Sequence, residues 1–135
     1  MDANVPVAAL RSRNGASFRM LSRIGGGKFT ICVSVPLVLE YEAATKRNLK
    51  SLGLSASDRG AVIDYVCQVA EHYKVYYLWR PFLKDPSDDM VLELAASSNA
   101  SSIVTYNRTD FKGVDQFGIK VQTPKQFLQQ IGELT

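Results

Sequence analysis

Four acidic residues have the types and positions needed for metal-dependent chemistry: Asp2, Glu40, Asp89 and Asp110. Each falls at or just after the end of an apolar run typical of a β-strand. In an open sheet of parallel strands, residues in these positions converge on one crevice although the sequence separates them widely. Because gathered carboxylates repel one another unless cations lie among them, the pattern predicts a Mg²⁺ or Mn²⁺ site. Hard cations held by carboxylates usually act on phosphate esters.

The N-terminal part of the chain is locally basic, although the net charge of the whole chain is only +3. Residues 1–39 hold a single acid, Asp2, and five basic residues, which are Arg11, Arg13, Arg19, Arg23 and Lys28. Positions 19 and 23 are four residues apart and would lie on one face of a helix. Such a face could follow a phosphate backbone, and a solvated surface helix is the equal alternative.

Several classes of site are excluded by what the sequence lacks. His72 is the only histidine, which rules out mechanisms that need two imidazoles and zinc sites rich in histidine. The glycine run at residues 25–27 is not followed by the Lys and Ser or Thr of a phosphate-binding loop. Cys32 and Cys67 lie in apolar runs without metal-ligand spacing, and we expect them to be buried thiols.

Length and composition are those of one globular domain. The chain has 135 residues, of which 46% are hydrophobic, and this size can bury a core without disulfides. No apolar run approaches the roughly 20 residues of a membrane helix, and the first residues lack the pattern of a secretory signal. We therefore expect a single domain over residues 1–135 that lies in the cytoplasm and has no membrane partner.

The elements that must position the acids alternate between strand and helix. Strands are expected at residues 29–34, 74–79, 102–105 and 119–122, and helices at residues 5–13, 17–24, 35–47, 55–70, 88–99 and 124–131. Ser34, Ser55 and Thr123 are typical N-cap residues for three of these helices. The alternation implies right-handed crossovers and an α/β fold, with a mainly parallel central sheet flanked by helices on both faces.

Five segments in this order resemble the motifs of PIN-domain ribonucleases, and the resemblance runs nearly from end to end. The segments are residues 2–5 (DANV), 40–42 (EYE), 85–95 (DPSDDMVLELA), 103–111 (IVTYNRTDF) and 119–124 (IKVQTP). The most similar branch is the bacterial group of toxins from toxin–antitoxin pairs. The resemblance implies a three-layer α/β/α fold and cleavage of single-stranded RNA that leaves a 5′-phosphate and a 3′-hydroxyl. It also implies a possible homodimer and a small antitoxin protein as partners.

The resemblance assigns roles to individual residues. The acidic quartet that binds Mg²⁺ or Mn²⁺ corresponds to Asp2, Glu40, Asp89 and Asp110. The supporting polar residues correspond to Asn4, Thr105 and Asn107. The residues that would hold the RNA backbone are Arg11, Arg13, Arg19 and Arg23. We prefer Asp89 to Asp88 because its interval to Thr105 matches that between the family's third acid and its threonine.

Two alternatives stand beside the nuclease. Relatives carry several apolar residues before the first Asp, whereas only Met1 precedes Asp2, so we expect a truncated first strand. A catalytically weakened PIN-like module that binds RNA or a protein would explain this feature. A phosphoacceptor receiver domain is the other α/β reading. It requires adjacent acids after the first strand and a Lys after the last, and the sequence has neither.

Overall fold

The computed structural model describes residues 1–12, 15–48, 55–75, 83 and 85–133, in which helices alternate with short strands. The helices are α1 (Asn4–Arg11), α2 (Ala16–Ser22), α3 (Val35–Arg47), α4 (Ala56–Val69), α5 (Pro86–Ser97) and α6 (Pro124–Gln130). The strands are β1 (Cys32–Val33), β2 (Glu71–His72), β3 (Ser102–Val104) and β4 (Lys120–Gln122). Short 3₁₀ turns lie at Ile24–Gly26, Arg108–Phe111 and Val114–Phe117.

Three helices begin where the sequence places an N-cap. The Ser34 hydroxyl accepts the backbone N–H three residues on, at the start of α3. Ser55 and Asp58 form a reciprocal capping box at the start of α4, and Thr123 and Gln126 form another at α6. Each cap satisfies N–H groups that have no partner within the helix, and its loss typically costs about 1 kcal/mol.

The strands pair in parallel, but not as one sheet. Strand β1 pairs with β2, and β3 pairs with β4, as two separate two-stranded sheets. The α/β class is therefore confirmed, whereas the described residues do not form the continuous central sheet that was expected. The strand expected at residues 74–79 falls largely on residues 76–79, which lie outside the described part. The described chain instead pairs with β1 at Glu71–His72, directly after α4.

The core joins both sheets to the helices. Tyr41, Phe111, Met20 and Leu92 are among its largest fully buried side chains, and they come from α3, the turn after β3, α2 and α5. Burying each such side chain contributes about 1.5 to 3 kcal/mol, so widely separated segments are held against β1 and β3. The free thiols of Cys32 and Cys67 are only partly buried, which corrects the expectation that both are buried.

The first two residues lie against β3 and α3. The Asp2 N–H donates to the carbonyl of Val104, with 2.8 Å between nitrogen and oxygen, and the Tyr41 hydroxyl donates to the Met1 carbonyl. Burial lowers the pKa of the Met1 α-amino group. These contacts hold Asp2 beside the carboxyl end of β3.

Within the described ranges, no helix is both long and apolar enough to cross a membrane.

Candidate active site

Asp2 is held at the carboxyl end of β3 by hydrogen bonds to both of its carboxylate oxygens. Its Oδ2 accepts the hydroxyl of Thr105 at 2.7 Å, and its Oδ1 accepts the N–H of Ala3 at 2.7 Å. Thr105 directly follows β3 and is fully buried. These two contacts fix the orientation of the Asp2 carboxylate.

The Thr105 hydroxyl connects Asp2 to the predicted supporting residues through hydrogen bonds. It donates to Asp2 and accepts the Asn107 backbone N–H at 3.0 Å and the Asn4 side-chain Nδ2 at 3.4 Å. The Asn4 Oδ1 lies 3.5 Å from the backbone nitrogen of Tyr106 and accepts its N–H. One donor and two acceptors are the full capacity of a hydroxyl. The structure thus brings Asn4, Thr105 and Asn107 together around Asp2, although Asn107 contributes its backbone.

Adjacent acids at the start of α5 have different surroundings. The carboxylate of Asp89 is buried, with the whole residue only 3% exposed, and its Oδ1 accepts the backbone N–H of Leu83 at 2.9 Å. Asp88 is partly exposed and lies among the other acids. Successive residues of an α-helix point about 100° apart, since the helix has 3.6 residues per turn. Asp89 therefore bonds to the backbone of Leu83, and the adjacent Asp88 points in a different direction around α5.

The acidic environment of Asp88 is visible in its pKa. Burial, followed by the charges of Asp2, Asp85, Asp110 and Asp89, raises the pKa of Asp88 to about 7. Neighbouring carboxylates disfavour a further negative charge, so part of this shift reports the proximity of Asp2 and Asp110. The charges of Asp2, Asp85, Asp110 and Asp89 therefore all act on Asp88, and we call these five carboxylates the electrostatic group.

Asp110 and Glu40 are the remaining acids of the predicted quartet, and both are more exposed than Asp89. Asp110 is exposed in the 3₁₀ turn Arg108–Phe111, and its backbone N–H donates to the carbonyl of Asn107 at 3.0 Å. Glu40 is partly exposed on α3, and its Oε1 lies 3.3 Å from an Arg47 guanidinium nitrogen. Within the described ranges, no three His, Cys, Asp or Glu side chains lie close enough together to hold a metal ion. The described acids therefore do not form a closed ligand set, and the contact of Glu40 is with Arg47 rather than with another acid of the quartet.

The raised pKa of Asp88 predicts how stability depends on pH when no divalent ion is bound. Between pH 3.8, the ordinary pKa, and about 7, the folded state keeps a proton that the unfolded state has released. The free energy of unfolding therefore falls as pH rises through this window and stays lower above it. Because Asp88 is partly exposed, solvent screening limits the cost to about 1 kcal/mol.

Asp88→Asn removes this titration. In EDTA at pH 8, we expect the variant to melt about 3 °C above the wild type, with the difference vanishing near pH 4. Thermal melts followed by circular dichroism across this pH range measure the effect, with Asp115→Asn as the control at an exposed acid outside the group. An equal difference at pH 4 and pH 8 would show that the change does not come from ionisation.

The predicted RNA-binding arginines divide into different environments. Arg11 and Arg19 are exposed, whereas Arg13 lies outside the described residues. Arg23 is paired with Glu133, with 2.9 Å between its Nε and Oε2, so a phosphate would have to displace that carboxylate. Among the three that the structure describes, Arg11 and Arg19 are therefore better placed than Arg23 for contact with a polyanion.

An exposed aromatic pair beside the site was not predicted from the sequence. Tyr106, 44% exposed, directly follows Thr105, and its hydroxyl is hydrogen-bonded to Ser17 of α2. Phe18, 39% exposed, is the next residue of α2. Exposed aromatic rings beside a basic surface are the usual platform for stacking unpaired bases. The adjacency of Tyr106 to Thr105 was the available signal, but the contact with α2 requires the tertiary structure.

The fold and this acidic group define a class before any comparison is made. In an α/β chain, carboxylates beyond the carboxyl end of a parallel strand lie where ligands bind in this class of fold, and carboxylates can bind divalent cations that act on phosphate esters. A family model described as the PIN domain matches residues 1–109, and the chain belongs to the PIN domain family. PIN domains are generally nucleases and typically depend on a metal. No curated protein and no solved structure matches the chain at a significant level.

The family match includes most of the site. It spans Asp2, Glu40, Asp88 and Thr105, and it ends one residue before Asp110.

Proposed function

We propose that this protein is a metal-dependent endoribonuclease that cleaves single-stranded RNA, with Mg²⁺ or Mn²⁺ as the cofactor. The observation that carries the proposal is the orientation of Asp2 by Thr105 and Ala3, with Asp88 and Asp110 in the same electrostatic group. The PIN domain match supports the nuclease class. Carboxylate oxygens are also the ligands that these hard cations prefer, so the donor set has suitable chemistry.

The proposed ligands are Asp2, Asp88 and Asp110, with Glu40 as a fourth acid after it leaves Arg47. The sequence-based assignment of the third acid to Asp89 remains a prediction, and the Asp89 contact with Leu83 favours Asp88. When bound, a divalent cation lowers the pKa of a water and offsets charge on the phosphate. Asp2 and Asp88 would relieve their mutual repulsion through such binding, which supplies free energy for closing the ligand set.

Residues outside the acidic group would position the substrate. Arg11 and Arg19 carry exposed cations that can contact phosphates, and Tyr106 and Phe18 offer rings for unpaired bases. A duplex keeps its bases stacked and inaccessible to such rings, so this surface favours single strands. We further propose the role of toxin in a toxin–antitoxin pair and a cytoplasmic location. The same proposal includes one continuous central sheet in a three-layer α/β/α fold, a homodimer and an antitoxin partner.

Cleavage of a labelled single-stranded RNA in Mn²⁺ tests the proposal. We expect EDTA to slow cleavage at least about 100-fold, because the activated water and the phosphate charge both depend on the cation. The products should carry a 5′-phosphate and a 3′-hydroxyl, measured by their reactivity with phosphate-specific exonuclease and ligase. The same sequence annealed to its complement serves as the control and should be cleaved more slowly.

The alternative function is a weakened module that binds RNA without cleaving it. The Glu40 contact with Arg47 and the open arrangement of the acids favour this alternative. It predicts RNA binding without products in either Mn²⁺ or EDTA. Cleavage that persists in EDTA and leaves a 3′-phosphate would contradict both functions, because it is the signature of metal-free ribonuclease chemistry.

A further inference from the structure

A groove of about 670 Å³ lies along strand β4, beside the 3₁₀ turn that carries Asp110. Its lining comes from this turn and the two residues after it, from Asp115 of the next turn, and from residues 118–121. We call this space the β4 groove. Of the described residues that line it, none belongs to the acidic quartet or to the predicted RNA-binding arginines. The groove thus adjoins the acids without including them.

The walls of the β4 groove are anchored in the core. Phe111 ends the first turn and Val114 begins the second, and both side chains are fully buried. The second turn is closed by the Gly118 N–H, which donates to the carbonyl of Asp115 at 2.9 Å. Because both turns are held in this way, a ligand can bind with little ordering of the chain, and such preorganisation favours affinity.

Exposed cations surround the β4 groove. Arg108, Lys112 and Lys120 all line it, and all three are exposed. The Arg108 Nη1 donates to the side-chain oxygen of Gln126 at 3.3 Å, which orients the guanidinium without neutralising its charge. Asp115 is the only acid among the described lining residues. Three cations against one acid leave an excess of positive charge that suits a polyanion.

The β4 groove also offers a backbone donor and acceptor, at Val121. The residues on both sides of Val121 bond to β3. The Lys120 N–H donates to the Ser101 carbonyl, and the Gln122 carbonyl accepts the Thr105 N–H, each at 2.9 Å. In a parallel ladder, alternate residues of a strand bond to opposite sides. The N–H and C=O of Val121 therefore point to the other edge of β4.

A single strand of RNA matches this combination of groups. Its phosphates can contact the cations, and its unpaired bases can lie against the apolar side chains of Phe111 and Ile119 and bond to the edge of β4. A duplex does not offer its bases in this way. Asp110 lies between two residues of the lining, Thr109 and Phe111, so a strand with one phosphate at the acids reaches the groove within a few nucleotides.

We propose that the β4 groove binds the part of a single-stranded RNA that lies on one side of the cleaved bond. Lys112 and Lys120 contact its phosphates, and Val121 bonds to a base. The inference rests on the proposed function for the nature of the ligand, but the contact itself is tested without cleavage.

Binding of a fluorescent single-stranded RNA of about 12 nucleotides, measured by anisotropy in EDTA, tests the inference. Lys112→Gln and Lys120→Gln should each reduce the slope of log affinity against log salt by about 0.7, and the double variant should reduce it by about 1.4. Each single change should weaken binding about fivefold at about 0.1 M salt. Lys74→Gln makes the same change of charge at an exposed lysine after β2, and it should keep the wild-type slope.

Hydrogen exchange locates the contact on the protein. Bound RNA should slow exchange of the Val121 amide at least about threefold. The Lys120 and Thr105 amides already bond between β3 and β4 and serve as internal controls. Equal slowing of all three amides would indicate general stabilisation rather than a contact at the β4 edge, and it would overturn the role of Val121. Melting temperatures within about 2 °C of the wild type show that the lysine variants are folded.

The outcomes separate this inference from the proposed function. Equal slopes for Lys112→Gln, Lys120→Gln and Lys74→Gln would overturn the inference even if the protein cleaves RNA. Reduced slopes in a protein that yields no products in Mn²⁺ would support the groove and remove the nuclease. An oligomer of about 12 glutamates carries charge without bases and should bind at least about tenfold more weakly than the RNA. Equal affinity for both would assign the groove to an acidic peptide and overturn the inference.

Discussion

Asp2→Asn should lower the rate of RNA cleavage about 10²- to 10³-fold, the scale expected when a preorganised electrostatic contact to the reacting groups is lost. Asparagine keeps the shape of the side chain and one oxygen that can accept from Thr105 or from the Ala3 N–H. It removes the negative charge that a divalent cation requires. The fold should therefore survive while binding of the cation fails, and titration calorimetry with Mn²⁺ measures that failure directly.

Thr105→Val is expected to slow cleavage less than Asp2→Asn does. Valine matches threonine in shape, but it removes the donor to Asp2 and the acceptor for Asn107 and Asn4. We expect a loss of about 1 kcal/mol in the free energy of unfolding, because partly buried polar partners lose their hydrogen bonds to Thr105. Cleavage should fall about tenfold, since Asp2 keeps its charge but loses one of its positioning contacts.

The relative sizes of the effects of Asp2→Asn and Thr105→Val on cleavage rate and on stability test the roles of both residues. Single-turnover cleavage rates and thermal melts should show Asp2→Asn as slow but stable, and Thr105→Val as less stable with intermediate activity. An Asp2→Asn enzyme within about threefold of the wild-type rate would remove Asp2 from the reaction. A Thr105→Val enzyme slower than Asp2→Asn would mean that Thr105 acts on the RNA rather than through Asp2.

Local signals in the sequence predicted the helices well because a cap is a contact between near neighbours. Ser34, Ser55 and Thr123 cap α3, α4 and α6 as expected, and the partner of each lies three residues on. The structure also brings Asn4, Thr105 and Asn107 together near Asp2, while their role in a site remains a prediction. That prediction depended on the order of five segments, since Asp2 and Thr105 are far apart in sequence.

Strand pairing could not be predicted in the same way, because hydrophobic pattern does not identify neighbours. Residues 71–72 carry a Glu and a His, which are not typical strand formers, yet they pair with β1. Tertiary contacts decide such a short strand. The division into two sheets could not be predicted either. Alternation of strands and helices predicts parallel strands, but it does not say which strands are neighbours in a sheet.

The choice between Asp88 and Asp89 shows where counting along a sequence leaves two assignments open. The interval to Thr105 crosses α5 and the loop after it, and one residue of difference in that loop shifts the count by one. A helix, however, separates neighbours by about 100° around its axis. Only the structure shows that Asp89 accepts the Leu83 N–H while Asp88 responds to the charges of Asp2 and Asp110.

Asp88→Asn and Asp89→Asn form a matched pair that decides the third acid. We expect Asp88→Asn to slow cleavage about 10²-fold, because it removes a charge from the acidic group without removing a structural hydrogen bond. Asp89→Asn should stay within about threefold of the wild-type rate, since an amide oxygen can still accept the N–H of Leu83. Cleavage rates at saturating Mn²⁺ and Mn²⁺ affinities by calorimetry measure the difference.

Asp89→Ala adds the structural control to this pair. Alanine leaves the buried N–H of Leu83 without its partner, so the free energy of unfolding should fall by about 1 to 3 kcal/mol. Its Mn²⁺ affinity, measured below the melting transition, should remain near that of the wild type. The reverse pattern, with Asp89→Asn inactive and Asp88→Asn active, would show that the third acid of the site is Asp89. The Asp89 carboxylate would then have to leave Leu83 when the cation binds, which couples metal binding to movement of the loop before α5.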